Sequence, residues 1–201
     1  MIDINLISIA INKHKNCLEN FNKITDSLYV VNDFFPLEVL TKLHEYIYNT
    51  KDWNDQTVKL DSRPVFNKSP ARKRSRLLFK HDTVLEETHI IVENFTSYLN
   101  NIFKKQLEFN GYEIWRDSAG YLIPTHSDNP DIAAAMQIFL SEHATNLGTV
   151  FNLQTPTRIP YKINSGYLMN NEDKITHQMM TPVPDDHVRY SLYATWKFPN
   201  K

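Results

Sequence analysis

Apolar positions along this chain follow two different periods. Up to about residue 108 they recur at helical spacing. Leu37, Leu40, Leu43 and Ile47 mark one face of a segment that Pro36 opens, with Glu38 in its first turn. Leu85, Thr88, Val92, Phe95, Leu99, Ile102 and Phe103 step by three or four and predict a second, longer helix. From about Tyr112 the pattern changes to short β-type runs broken by Pro, Asn and Gly. These predict strands at Tyr112–Arg116, Ala133–Leu140, Thr149–Leu153, Tyr167–Asn170 and Val188–Phe198. Short strands at this spacing, with no helical pattern between them, predict a sandwich or barrel. The expected class is α+β: one domain over 1–201, mainly helical support over 1–108 and a β core over 109–201.

Charge alters this picture at one place. The chain carries a net charge of -1, which gives no global reason to expect nucleic acid or an anionic membrane as partner. Seven basic residues nevertheless fall between Arg63 and Lys80, including the cluster Arg72-Lys73-Arg74-Ser75-Arg76. Pro64 and Pro70 exclude a continuous helix there, so a solvated basic loop over 63–80 is expected. The sharper alternative is a flap that meets an anionic substrate or a partner. Cys17 is the only cysteine, which excludes an intrachain disulfide and a cysteine-rich zinc site. The apolar stretch Ile4 to Ile11 is too short to span a bilayer and has no positive segment before it, so a cytoplasmic, soluble protein is expected.

The candidate chemistry lies in the β half. In His126-Ser127-Asp128 an imidazole and a carboxylate stand two residues apart, and in extended backbone such positions share a face. Alone this motif is weak, because eight His and thirteen Asp in 201 positions give about 0.5 chance occurrences. His177 and then Arg189, opening the run Arg189-Tyr190-Ser191-Leu192-Tyr193-Ala194-Thr195-Trp196, raise the signal. A 2-His-1-carboxylate set leaves three positions open on Fe(II). Arg189 and Ser191 share one strand face while Tyr190, Leu192 and Trp196 share the other, and a guanidinium beside a hydroxyl is suited to a carboxylate. The remaining histidines, His14, His44, His81, His89, His143 and His187, read as surface or packing residues.

The order His126-x-Asp128, His177, Arg189-x-Ser191 resembles the Fe(II)/2-oxoglutarate-dependent dioxygenase superfamily. The local text is most similar to its prolyl 4-hydroxylase-like branch, through Gly120-Tyr121-Leu122, His126-Ser127-Asp128-Asn129-Pro130, Leu147-Gly148-Thr149, Gly166-Tyr167-Leu168 and Arg189-Tyr190-Ser191 with Trp196. The similarity covers about residues 110 to 198. Val31-Asn32-Asp33-Phe34-Phe35-Pro36 is loosely similar to the family's amino-terminal part.

The resemblance implies a double-stranded β-helix (jelly roll) with Fe(II) on His126, Asp128 and His177. It implies 2-oxoglutarate and O₂ as co-substrates, with ascorbate as an accessory reductant. Arg189 would pair with the distal carboxylate of the keto acid and Ser191 would assist. Two tyrosines frequent in prolyl hydroxylases are replaced here by Arg116 and Phe139, which makes Tyr121, Gln137 and Thr149 the candidates for the rest of that pocket. The implied activity is hydroxylation of a prolyl or other peptidyl residue, with release of succinate and CO₂. A hydroxylase of a free amino acid or other small molecule is the runner-up, and a binding module that has lost catalysis is the non-enzyme reading. Asp128 argues against a halogenase, and a nucleic-acid demethylase would show a second arginine beyond Arg189.

Overall fold

The computed structural model of the chain describes residues 20–55, 74–78, 82–142 and 147–199. The Ile4–Ile11 stretch and most of the basic segment, residues 63–73 and 79–80, lie outside them.

The strands form two antiparallel sheets. In chain order they are β1 (Phe21–Lys23), β2 (Leu28–Val31), β3 (Trp53–Asp55), β4 (Arg74–Leu77), β5 (Glu108–Asp117), β6 (Ala134–Phe139), β7 (Gly148–Phe151), β8 (Thr157–Pro160), β9 (Gly166–Asn170), β10 (His177–Met179) and β11 (Arg189–Lys197). The larger sheet runs β1-β2-β9-β6-β11-β5-β4-β3, and the smaller runs β10-β7-β8. Together they make a double-stranded β-helix flanked by helices, as the α+β expectation required.

All five expected strands form, with ends shifted by up to four residues. The amino-terminal half differs from its mainly helical reading. It supplies β1 to β4, two of which extend the central strands on either side through β2·β9 and β4·β5 pairing. These strands are three or four residues long, too short to display an alternation against the background. The expected loop over 63–80 is likewise corrected where it is described, because Arg74–Leu77 is a strand.

Among the described residues three helices cover the outer face of the larger sheet: α1 (Leu37–Asn49), α2 (Thr83–Asn94) and α3 (Thr96–Phe103). In α1 the buried positions are Val39, Leu40, Leu43 and Ile47, whereas Leu37 is 78% exposed. Leu37 lies about 100° of helix rotation from the centre of that stripe, off the buried face. The single long helix expected after Leu85 is two, meeting at Phe95, whose ring packs against Phe21, Phe34 and Trp196. Asp82 caps α2 by accepting the Val84 amide at 2.8 Å.

Alternation along β11 decides what faces the helices and what faces the barrel. Tyr190, Leu192, Ala194 and Trp196 enter the helix-side core, and the Trp196 indole N–H donates to Thr96 Oγ1 at 2.9 Å. The barrel's closed end is filled by Leu28, Phe139, Phe151, Ile159 and Tyr161. Phe139 packs against Tyr161 with ring centroids 4.4 Å apart, and the Tyr161 hydroxyl donates to the Tyr190 carbonyl at 2.6 Å. Burial pushes that phenol up to about 12, against the opposing effect of its bond with Ser141.

Gly166 marks a close approach between strands β9 and β6. A Cβ there would lie 1.7 Å from the Gln137 carbonyl oxygen on β6, which is backbone and cannot swing aside. Gly166→Ala is expected to destabilise the fold by about 3 kcal/mol or more, the upper end of overpacking costs. Urea denaturation checks this, and a midpoint within error of wild type would contradict it.

Candidate active site

His126 and His177 come from separate segments and are joined by backbone. The His126 amide donates to the His177 carbonyl at 3.0 Å and the His177 amide to the His126 carbonyl at 2.8 Å, a single antiparallel bridge. This clasp brings the two rings to 4.4 Å between centroids. Asp128, two residues beyond His126, turns Oδ1 toward both, 3.6 Å from His126 Nε2 and 3.8 Å from His177 Nε2. One donor atom from each residue lies within 4.8 Å of the others.

This donor set fits a first-row divalent metal. An ion about 2.0–2.2 Å from each donor spans donor pairs up to roughly 4.2 Å apart, which both His–Asp pairs satisfy. The ring nitrogens away from the cluster are held by carbonyls two residues upstream. His126 Nδ1 meets Pro124 O at 2.9 Å and His177 Nδ1 meets Ile175 O at 3.4 Å. With the proton on Nδ1, each Nε2 presents its lone pair to the site. Asp128 Oδ2 accepts from the Tyr193 hydroxyl at 3.0 Å, which fixes the carboxylate plane.

Electrostatics favour the ligating forms. Burial lowers the His177 pKa, with His126 adding to that effect and Asp128 opposing it, so the imidazole stays neutral near pH 7. Burial works against the Asp128 charge, but the adjacent His126 and His177 rings and the Tyr193 hydroxyl outweigh it and hold the carboxyl below its ordinary range. The turn after Asp128 is pinned by buried Asn171, whose Nδ2 donates to the Asn129 and Ile132 carbonyls at 2.9 and 2.8 Å.

The triad opens into a cavity of about 230 Å³. Arg189 lines it and is 1% exposed, but its fork rests on an internal carboxylate: Nε and one terminal nitrogen donate to Asp117 Oδ2 at 2.9 and 2.5 Å. Ser191 does not line the cavity. It is fully buried and accepts from Gln137 Nε2 at 3.1 Å, and Gln137 is the residue that faces inward. Tyr121 and Thr149 do line the cavity. Arg116 does not: it points to the other face of β5, over the Trp53 ring at 4.8 Å and onto Ser75 Oγ at 3.1 Å. Its neighbours Trp115 and Asp117 face inward instead, and Phe139 is in the barrel floor.

Four residues at or behind the cavity wall have no counterpart in the sequence reading: Arg74, Tyr167 and Tyr193 line the cavity, and Asp117 is buried behind it. Asp117 lies one residue past the expected end of β5. Arg74 sits in the segment read as a basic loop. Tyr167, bonded to Thr149, and Tyr193 both line the cavity, and burial raises both phenols far above their ordinary range. The alternation that paired Arg189 with Ser191 also points to Tyr193, so that signal was present in the chain.

No protein-family profile matches the chain, and no curated protein does. Solved structures do match in fold. A prolyl 4-hydroxylase from Pseudomonas putida aligns with a TM-score of 0.66 at 10% identity, covering 96% of this chain and 100% of that one. An oxidoreductase of the 2OG-Fe(II) oxygenase family from Burkholderia pseudomallei gives 0.62 at 14% identity, covering 85% of each chain. A prolyl hydroxylase from Trichoplax adhaerens, in complex with a hypoxia-inducible-factor oxygen degradation domain peptide, gives 0.63 at 11% identity over 96% of this chain and 89% of that one. The fold is that of the 2-oxoglutarate/Fe(II) oxygenases, in its prolyl 4-hydroxylase-like form. At these identities the likeness carries the architecture alone. What this chain's site does rests on its own residues. Among the described residues no helix is long and apolar enough to cross a membrane.

Proposed function

We propose that this protein is an Fe(II)- and 2-oxoglutarate-dependent oxygenase that hydroxylates a peptidyl residue, proline being the first candidate. The observation that carries this reading is the convergence of His126, Asp128 and His177 in a cavity that also holds Arg189, within this fold. The reaction balances as 2-oxoglutarate, O₂ and a C–H bond going to succinate, CO₂ and C–OH, and bound Fe(II) supplies the oxygen activation.

The chain's own residues do the rest. His126, Asp128 and His177 would hold the ion through three donors and would leave it accessible to co-substrates, as a closed four-ligand site would not. Tyr193 holds Asp128 in one orientation. Arg189 supplies charge for the distal carboxylate, and Gln137 and Thr149 supply polar contacts on the inner wall. Ser191 acts by positioning Gln137. Trp115, Tyr121 and Ile123 give the wall apolar surface that limits water. The complex of the Trichoplax neighbour with a peptide supports a peptide as the substrate class.

The test is succinate formation from 2-oxoglutarate by protein loaded anaerobically with Fe(II), then exposed to O₂ with ascorbate present. Uncoupled turnover without a prime substrate is expected, rising when proline-containing peptides are added. Stimulation only by free amino acids or other small molecules would replace the peptide assignment. Neither keto-acid binding nor succinate would remove the enzyme reading.

A further inference from the structure

Arg189, Asp117 and Arg74 form one cross-strand row. Asp117 on β5 is the register partner of Arg189 on β11 and of Arg74 on β4. Asp117 is fully buried and its two oxygens are divided between the guanidiniums. Oδ2 takes Nε and a terminal nitrogen of Arg189, and Oδ1 takes Arg74 Nε at 2.8 Å. Two positive charges therefore share one carboxylate, at a cavity wall where an unbalanced charge is costly.

The two arginines are placed differently. Arg189 spends its Nε edge on Asp117 and is almost wholly enclosed. Arg74 commits only Nε, lines the same cavity, and retains 21% side-chain exposure. Its guanidinium is held flat by two rings, 4.1 Å from the centroid of Trp115 and 4.9 Å from that of Tyr121. Such stacking fixes the plane of the group without using its terminal N–H donors. Arg74, Arg189 and the Tyr167 ring line the same cavity.

We infer that Arg74 is a second carboxylate-binding residue of this cavity, which acts with Arg189 on the distal carboxylate of the keto acid and is held in place by Asp117, Trp115 and Tyr121. The inference rests on the 2-oxoglutarate reading and adds to it a ligand residue from an amino-terminal strand. Asp117 becomes the fixed anion that keeps two guanidiniums adjacent when the ligand is away. The arriving carboxylate then supplies the second negative charge. Charge-assisted, forked contacts of this kind give both affinity and selection for a dicarboxylate over a monocarboxylate.

The experiment compares 2-oxoglutarate with pyruvate, a keto acid without the distal carboxylate, by calorimetric titration of the Mn(II)-loaded protein under exclusion of O₂. Trp115 fluorescence gives a second readout. Wild type is expected to prefer 2-oxoglutarate. Arg74→Gln, which can still lie over Trp115, is expected to lose about tenfold or more in 2-oxoglutarate affinity with pyruvate affinity unchanged. Arg74→Lys, which keeps the charge without the fork, should fall between. Unchanged selectivity in a folded Arg74→Gln variant overturns the role of Arg74 and leaves the oxygenase reading standing, as does equal loss for both acids. Wild type that binds neither acid overturns both. If Arg74→Gln does not fold, Arg74→Lys decides: wild-type selectivity there, with charge kept and fork lost, overturns the forked contact.

Discussion

Asp128→Ala is expected to abolish metal retention and, with it, keto-acid turnover. The substitution removes the one anionic donor and the acceptor for Tyr193, leaving two neutral imidazoles. Two nitrogens from one small clasp hold a first-row ion far less tightly than a facial set of three, and a loss of at least 100-fold in affinity is on the order expected. His177→Ala should act as strongly, because it leaves the ion one imidazole and one carboxylate. Anaerobic titration with Fe(II) or Mn(II) reads the first effect and succinate formation the second. Retention of turnover by either variant would show that these residues do not hold the reactive metal.

Arg189→Ala carries the second large effect, and it combines two losses. Read from sequence, the residue is a ligand clamp whose removal weakens 2-oxoglutarate binding. In the structure its fork also neutralises Asp117, which is fully buried. Truncation leaves that carboxylate with Arg74 alone and its Oδ2 without a donor, a loss of about 1–3 kcal/mol. The expected result is a lower urea midpoint together with loss of keto-acid binding. A triple variant, Arg189→Met with Asp117→Leu and Arg74→Met, removes all three charges of the row and should recover much of the stability while leaving binding lost. Recovery of both would mean that Arg189 has a structural role only, and no change in stability would contradict the buried pair.

The parts of the site legible in the chain are those whose meaning is local. His126 and Asp128 are two residues apart, so extended backbone alone puts them on one face. Arg189 and Ser191 follow the same rule, and the opposite face of β11 is correctly apolar. What sequence could not show depends on register between distant strands. Asp117 meets Arg74 across 43 residues and Arg189 across 72, and no spacing in the chain encodes either pairing. Arg74 was further concealed by composition, since a basic tetrapeptide ending in leucine reads as a loop until β5 is beside it. Arg116 shows the sensitivity of such reasoning to a single residue. The expected pocket position belongs to a neighbour, because one step along a strand exchanges the inside of the barrel for the outside.

The clasp between His126 and His177 has a thermodynamic consequence. His177, the third proposed ligand, rides on β10, a strand of three residues, tied on one side to β7 and on the other to the backbone of His126. Ion binding through the side chains and strand closure through the main chain are thus two descriptions of one local equilibrium. By linkage, whatever loosens this corner weakens the ion, and removing the ion loosens the corner by the same free energy. On the proposed reading, an ion would tie β10 to the His126–Asp128 segment, and the apo protein is expected to breathe there first.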